Sequence, residues 1–212
     1  MREKLRRIGK LYLIVFIFWG LYRLIFRLPE EVEEIILKPI VWLGPTFYLV
    51  FKVEKKGLSS LGYSFKSLRS SLGKGLIFGI LFLGMGLILQ VLRGRSILWG
   101  NLLNYQFLLS TFGLALMTAL SEETVFRGYI LNRLEEVLGK SLVPNIITSI
   151  GFALIHLPVS VFVYHLALPQ LFSYLLLVFL SSMGSGLIFS WSGGIWGAIL
   201  VHVFLVWPMI LG

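Results

Sequence analysis

Long apolar runs, separated by short polar or charged segments, dominate the pattern along this chain. A helix needs about 20 apolar residues to cross the hydrocarbon core of a bilayer, and several of these runs approach or exceed that length. Before residue 132 we place helices at residues 11–26, 35–51, 75–92 and 102–131. The pattern therefore predicts an all-α membrane protein.

The pattern changes after Lys140, because residues 141–212 contain no Asp, Glu, Lys or Arg. Three apolar stretches in this tail predict further helices, and a short fourth piece lies between Pro158 and Pro169. We place the stretches at residues 142–157, 171–191 and 194–211, and the short piece at 159–168. About ten residues do not cross a bilayer, so the short piece is expected to be re-entrant, interfacial or joined to a neighbouring helix. The chain is thus predicted to be a polytopic transmembrane bundle of seven or eight helices.

The composition agrees with this prediction and indicates how the first helices are oriented. Hydrophobic residues make up 57% of the chain, charged residues 14%, and the mean hydropathy is +0.88. Basic residues cluster at residues 1–10 and 52–74, and the positive-inside rule places both segments in the cytoplasm. The acidic segment 27–34 is then expected to face outward, and Lys38 to extend its side chain to a membrane interface.

For the whole chain we predict one integral membrane domain, located in the cell membrane with its N-terminus in the cytoplasm. Residues 1–104 would supply N-terminal spans and residues 105–212 the motif-bearing core. The net charge of +9 does not indicate nucleic-acid binding, because the basic residues flank apolar runs and form no patch interleaved with aromatic residues. Membrane lipids are the expected surroundings, and the sequence leaves the oligomeric state open. The chain has no cysteine, which excludes disulfides, thiol nucleophiles and thiolate metal sites.

One charged segment, Glu-Glu-Thr-Val-Phe-Arg at residues 122–127, lies in the fourth predicted helix. Charges at membrane depth cost about 3 kcal/mol each, so they usually pair with one another and serve a site. Arg127 follows Glu123 by four residues, the orientation that favours an ion pair on a helix. Glu122 points about 100° away, which leaves its carboxylate available as a general base. The alternative is a structural clamp in which all three groups hold helices together.

Two histidines are expected to lie near this segment. Glu122 lies ~16 Å along its helix from the predicted cytoplasmic end. On the same scale His156 lies ~21 Å along the next helix and His202 ~12 Å along the last one. The three side chains are therefore expected at a similar level, where they form a buried polar site. His165 lies in the short piece between the prolines and is expected at an interface.

Three motifs occur in order along this half of the chain. Residues 122–127 have the form EExxxR, residues 152–156 (Phe-Ala-Leu-Ile-His) have the form FxxxH, and His202 lies in the last predicted helix. In this order and spacing they resemble the CPBP family, which comprises CAAX prenyl endopeptidases and bacteriocin-processing enzymes, also called the Abi family. The resemblance covers roughly residues 118–207.

The resemblance implies an intramembrane endopeptidase that hydrolyses a peptide bond of a membrane-associated or prenylated substrate. By position in the motifs, Glu122 corresponds to the catalytic glutamate, and His156 joins it in activating a water molecule. His202 corresponds to the histidine that helps to stabilise the oxyanion. The supporting residues of the motifs correspond to Glu123, Arg127 and Phe152.

The resemblance also favours a glutamate mechanism that needs no metal, and we expect no cofactor. Zinc is the alternative, because His and Glu side chains ligate it. Its candidate ligands, Glu122, His156 and His202, lack a recognised zinc spacing. The chain contains neither His-Glu-x-x-His nor any Asp, which argues against zinc-dependent and aspartyl intramembrane proteases.

One position departs from the family pattern. Members usually have Asn or Asp four residues after the late histidine, where this chain has Val206. Valine donates no hydrogen bond, and loss of one oxyanion donor costs about 2.7–4 kcal/mol in acyl-transfer enzymes. Trp207 and Asn145 are candidate replacement donors.

This departure keeps a second interpretation open. The chain would then be a non-catalytic relative, with an immunity or scaffold role, that retains the polar site for folding or peptide binding. A proton-coupled transporter would also use buried Glu and His, but the sequence lacks the internal repeat that is typical of that class.

Overall fold

A computed structural model describes residues 1–92 and 104–211, and every regular element in these two ranges is helical. The predicted all-α fold is therefore confirmed. A short 3₁₀ turn, Leu58–Leu61, connects the second and third helices. The described residues form seven helices: α1 (Arg2–Ile25), α2 (Glu30–Val53), α3 (Leu68–Leu92), α4 (105–138), α5 (Leu142–Phe162), α6 (Leu168–Ser192) and α7 (Trp196–Ile210).

Five of these helices are long and apolar enough to cross a membrane, namely α1, α2, α3, α5 and α6. α7 is apolar but shorter, and α4 carries charged residues in its second half. The number of spans and the side on which each loop lies stay predictions. Residues 93–103 lie outside the described residues, and so does the expected start of the fourth helix at residue 102.

The second helix differs most from its prediction. α2 begins at Glu30, before the expected start, so much of the acidic segment assigned to an outward loop is helical. Glu33 and Glu34 are buried, and Lys38 is only 3% exposed, so the expectation that Lys38 reaches a membrane interface is wrong. The cause is ion pairing, because Arg23 of α1 binds Glu33, and Lys38 binds Glu34 one turn before it.

α2 continues through Pro39 and Pro45, although proline lacks an N–H donor and normally kinks or ends a helix. Much of the helix is π-helical, with wider turns in which an N–H bonds the carbonyl five residues back. Pro39 begins one of these π-helical stretches, and Pro45 lies in the α-helical turn Gly44–Phe47 between two of them. The π-helical stretches are Glu33–Leu37, Pro39–Leu43 and Tyr48–Val53.

The short piece between the prolines is joined to its neighbour, one of the three arrangements left open by the sequence. α5 is interrupted only at His156 and then continues to Phe162. Pro158 causes the break, since it has no N–H to bond a carbonyl of the preceding turn. Residues 163–167 are not helical, and α6 begins at Leu168.

The motif-bearing part of α4 lies at the centre of the bundle. Residues 121–131 are all buried, and α4 packs against α7, which in turn packs along α3. Glycines allow α3 and α7 to approach closely, since a Cβ on Gly75 would lie 3.0 Å from backbone atoms of Gly197. α5 packs along α6. The three helices that carry the motifs therefore surround a common interior.

Candidate active site

The paired glutamates lie where α4 changes from α-helical to π-helical geometry. Tyr105–Glu123 is α-helical and Thr124–Leu131 is π-helical. Glu122 and Glu123 are 4% and 0% exposed, respectively. Single π-helical stretches inside α-helices are frequent at functional sites. Both carboxylates are thus held by a packed helix rather than by a loop.

Glu123 makes contacts with three helices. Its Oε1 lies 3.1 Å from Arg127 Nη1, the ion pair that the four-residue spacing predicts. The same oxygen accepts a hydrogen bond from His202 Nδ1 at 2.6 Å, and Oε2 accepts one from Ser185 Oγ at 2.8 Å. A buried charge needs compensation of this kind. Glu123 therefore connects α4 with α6 and α7.

Arg127 and Phe152 complete the support around Glu123. Arg127 Nη2 donates to both the carbonyl oxygen and Oγ of Ser182, each at 2.9 Å. Its guanidinium carbon lies 4.7 Å from the ring centroid of Phe152, within the range of a cation–π interaction. The same ring packs against both histidines, with centroid distances of 4.7 Å to His156 and 6.0 Å to His202.

The two carboxylate oxygens of Glu122 have different surroundings. Oε1 accepts a hydrogen bond from Lys38 Nζ at 2.9 Å. Oε2 is buried, has no hydrogen-bond partner within the described ranges, and lies 3.6 Å from His202 Nε2. His202 Nδ1 is the donor to Glu123, since a carboxylate only accepts, so Nε2 of the neutral ring is an acceptor as well. In the protonated ring Nε2 carries a hydrogen as well and faces Glu122 Oε2 as a donor.

Two residues of this site were not identified from the sequence. Glu34 and Lys38 of α2 lie next to Glu122, and Lys38 Nζ is 2.7 Å and 2.5 Å from the two oxygens of Glu34. Thr118 Oγ1 donates to Glu34 Oε2 at 2.6 Å. The available signal was their spacing, because Glu34 and Lys38 are four residues apart, as are Glu123 and Arg127.

His156 lies at the break in α5 and is half-buried. Its Nδ1 is 2.8 Å from the carbonyl oxygen of Phe152. Because a carbonyl only accepts, Nδ1 carries the hydrogen, and Nε2 is the ring nitrogen with a free electron pair. His156 lines the same cavity as Glu122 and His202.

A cavity of about 110 Å³ lies among these residues. A single water molecule needs only about 10–15 Å³ of such volume, so the cavity has room for several. Lys38, Glu34 and Thr118 also line it, together with the aromatic side chains Trp19, Trp42, Phe152, Tyr164 and Tyr174. The cavity lining therefore combines charged and polar groups with aromatic and aliphatic side chains.

Val206 lines this cavity, at the position where the family pattern has Asn or Asp. The two candidate replacement donors are engaged elsewhere. Trp207 Nε1 donates to Thr111 Oγ1 at 3.1 Å, and Asn145 Nδ2 donates to the carbonyl oxygen of Met183 at 2.9 Å. Neither residue is part of the cavity lining.

Within residues 1–92 and 104–211, no group of three or more His and Glu side chains is arranged to hold a metal ion. His165 is exposed in the connection between α5 and α6, where its φ of 51° is left-handed, and it does not line the cavity. Of the sequence-predicted residues, the structure brings Glu122, His156 and His202 to one cavity, with Phe152 in its wall and Glu123 and Arg127 behind it.

Comparison with known protein families matches residues 104–207 to the family described as type II CAAX prenyl endopeptidase Rce1-like. The match confirms the family that the motifs indicated. It contains Glu122, His156 and His202, whereas Lys38 lies outside it. No curated protein and no solved structure matches the chain.

Proposed function

We propose that this chain, whose residues 104–207 match the Rce1-like family of type II CAAX prenyl endopeptidases, cleaves peptide bonds with a water molecule that Glu122 activates. Membership in this peptidase family, together with five apolar helices, supports an integral membrane protease. The glutamate mechanism and the roles of individual residues are our proposal.

The free oxygen of Glu122 is the observation that carries this proposal. Oε2 is buried, without a hydrogen-bond partner in the described structure, at a cavity large enough for water. Leaving a buried carboxylate oxygen unpaired costs free energy, so a group that fits there is expected to bind to it. A water molecule between Glu122 Oε2 and His156 Nε2 would be held by two acceptors, with its oxygen available for attack.

In the proposed reaction, Glu122 Oε2 takes one proton from this water, and the water oxygen bonds to the carbonyl carbon of the scissile peptide bond. The carbon–nitrogen bond then breaks, and Glu122 returns the proton to the leaving nitrogen. His156 Nε2 is a second acceptor that orients the water. No metal takes part in any of these steps.

His202 is the proposed oxyanion donor. In the proposed reaction this ring is already protonated when the substrate binds: Nδ1–H donates to Glu123, and Nε2–H donates to the developing oxyanion. Glu123, Arg127 and Phe152 hold the ring in place. This arrangement would place the donor on the histidine itself, while Val206 contributes no hydrogen bond.

We propose a peptide or prenylated protein as the substrate, in line with the family. The aromatic and aliphatic side chains in the cavity lining support a substrate segment that includes nonpolar side chains. A second candidate function is peptide binding without hydrolysis, as in an immunity or scaffold protein. Val206 is the observation that favours it, because a donor of the family pattern is missing from the cavity.

A cleavage assay on the purified protein in detergent tests the proposal. It uses a fluorogenic prenylated CAAX peptide and compares wild type, Glu122→Gln and Val206→Asn, with and without a metal chelator. Because the amide of Gln accepts no proton from water, we expect Glu122→Gln to lower kcat by about 10³-fold while the thermal midpoint changes little. Cleavage is expected to persist with chelator.

Glu136→Gln, on the same helix but remote from the cavity, is the matched control and should cleave like wild type. Cleavage that survives Glu122→Gln would contradict the glutamate mechanism, and cleavage abolished by chelator would contradict its metal independence. A wild type that binds the peptide without cleaving it, combined with cleavage by Val206→Asn, would establish the binding function instead.

A further inference from the structure

Lys38 contributes a cation to the candidate active site from a part of the chain that the family match does not cover. Its side chain is almost fully buried, and Nζ contacts Glu34 at 2.5 Å and Glu122 Oε1 at 2.9 Å. The ammonium also lies 5.5 Å and 5.7 Å from the ring centroids of Trp19 and Trp42. These contacts fix one charged atom beside the carboxylate that is proposed to activate water.

The arrangement is not the one expected if Lys38 served only to neutralise Glu34. Those two residues, four apart on α2, would form a complete ion pair by themselves. A second carboxylate on the same ammonium leaves a net negative charge among these three groups, and such a buried excess charge costs free energy. The contact with Glu122 therefore indicates that Lys38 has a role toward that residue.

The contact also distinguishes the two oxygens of Glu122. With Lys38 on Oε1, the carboxylate cannot rotate freely about its last bond, and Oε2 stays next to His202 Nε2 at the cavity. We infer that Lys38 is a positioning residue, which holds Oε1 of Glu122 so that Oε2 is the oxygen that takes the proton from water. Glu34 in turn accepts from Lys38, and Thr118 donates to Glu34. This inference rests on the proposed protease function.

The test uses the same cleavage assay, with kcat, KM and thermal midpoint measured for each variant. Lys38→Met should lower kcat about 100-fold, the effect of a misplaced general base, whereas KM should change less than about twofold. Lys38→Arg should recover about tenfold over Lys38→Met, because the guanidinium supplies a donor to the same oxygen. Lys52→Met, the same substitution at an exposed position of α2, should behave like wild type.

Lys38→Met leaves Glu34 unpaired and can impair folding, so a second variant keeps the test decisive. Lys38→Met/Glu34→Gln removes both charges of the pair and leaves only the contact to Glu122 missing. It should fold and show the same loss of kcat. A folded double variant with wild-type kcat would overturn the inference, and so would a Lys38→Arg variant no more active than Lys38→Met.

Failure of the proposed function gives a different result. If neither the wild type nor the Val206→Asn variant cleaves the peptide, the protease function is removed and the positioning role of Lys38 with it. A wild type that cleaves, together with unchanged kcat in the Lys38 variants, leaves the protease function standing and removes only the role of Lys38.

Discussion

At the residue scale, the two adjacent glutamates have different tasks. Glu123 has both oxygens occupied, by Arg127, His202 and Ser185, and is fully buried. Glu122 has one oxygen occupied and one free at the cavity. A helix turns about 100° per residue, so neighbours in sequence face different partners. Substitutions at Glu123, Arg127 and Ser185 should therefore affect stability first, and substitutions at Glu122 activity first.

Arg127→Met should unfold the protein more readily. The substitution removes the cation beside Glu123, and breaking a buried ion pair in this way costs about 3–5 kcal/mol. The thermal midpoint in detergent measures the loss. Arg69→Met, at an exposed position of α3, is the control and should leave the midpoint within about a degree or two, as surface substitutions do. A stable Arg127→Met variant would show that Ser185 and His202 suffice to hold Glu123.

At the scale of the helices, close approach depends on glycines that face a neighbouring backbone. A Cβ on Gly86 of α3 would lie 2.9 Å from the carbonyl carbon of Leu205 in α7, with the carbonyl oxygen nearer still. Two residues earlier on the same helix, a Cβ on Gly84 would meet no atom of a neighbouring helix within 4 Å. A comparison of substitutions at Gly86 and Gly84 therefore distinguishes the effect of packing between α3 and α7 from the general cost of glycine in a helix.

Gly86→Ala should destabilise the protein, because the added methyl group pushes α3 away from the backbone of α7. Overpacking of this kind typically costs about 1–3 kcal/mol. Gly84→Ala is the matched control and should be neutral or stabilising by up to about 1 kcal/mol, since alanine favours the helix. The thermal midpoints of both variants measure these changes in stability. Equal midpoints would mean that α3 and α7 shift apart at little cost.

At the scale of the whole molecule, polar contacts join the first 92 residues to the family-matched part, both at the cavity and near the end of α4. Lys38 binds Glu122 at the cavity, and Glu54 binds Arg133 at 2.7 Å near the end of α4. Tyr12 Oη donates to the carbonyl oxygen of Gly151 at 3.0 Å. The two parts are thus joined by several polar contacts, while one domain over the whole chain stays a prediction.

A further group of charges joins both parts at the end of α4. Glu136 is 2.8 Å from Lys4 and 3.1 Å from Arg133. Burial by itself would raise the pKa of the Glu136 carboxyl, but the hydrogen bond from Lys4 and the charges of Arg133 and Lys56 outweigh it and lower that pKa. Because the pKa is lower in the folded state, these contacts stabilise the protein above about pH 4.5 and lose their effect as the pH falls through the folded-state pKa.

Glu136→Gln should therefore lower the thermal midpoint at pH 7, and the loss should shrink as the pH falls below about 4.5 toward 3. The side chain is partly exposed, so the contribution is small, about 0.2–1 kcal/mol, or about 1–3 °C for a chain of this size. Glu31→Gln, at an exposed residue of α2, is the control and should have no effect at either pH. An effect of Glu136→Gln that persists undiminished at pH 3 would show that it does not arise from the carboxylate charge.

Much of the architecture follows from the sequence alone. Apolar runs predict the helices because a chain in lipid must satisfy its backbone hydrogen bonds within each segment. The pairing of Glu123 with Arg127 also follows, since residues four apart on one helix are neighbours whatever surrounds them. Order and spacing of the three motifs were sufficient to indicate the family.

Only the tertiary structure decided which groups meet across helices. A lysine one turn into an apolar helix fits a membrane interface as well as a buried site, and the rotation of α2 against α1 and α4 places Lys38 inside. The same applies to His202, whose Nδ1 binds Glu123 while Nε2 lies near Glu122. Local periodicity fixes contacts within a helix, whereas contacts between helices depend on packing of the whole bundle. The partners of Glu122 are therefore a property of the folded molecule.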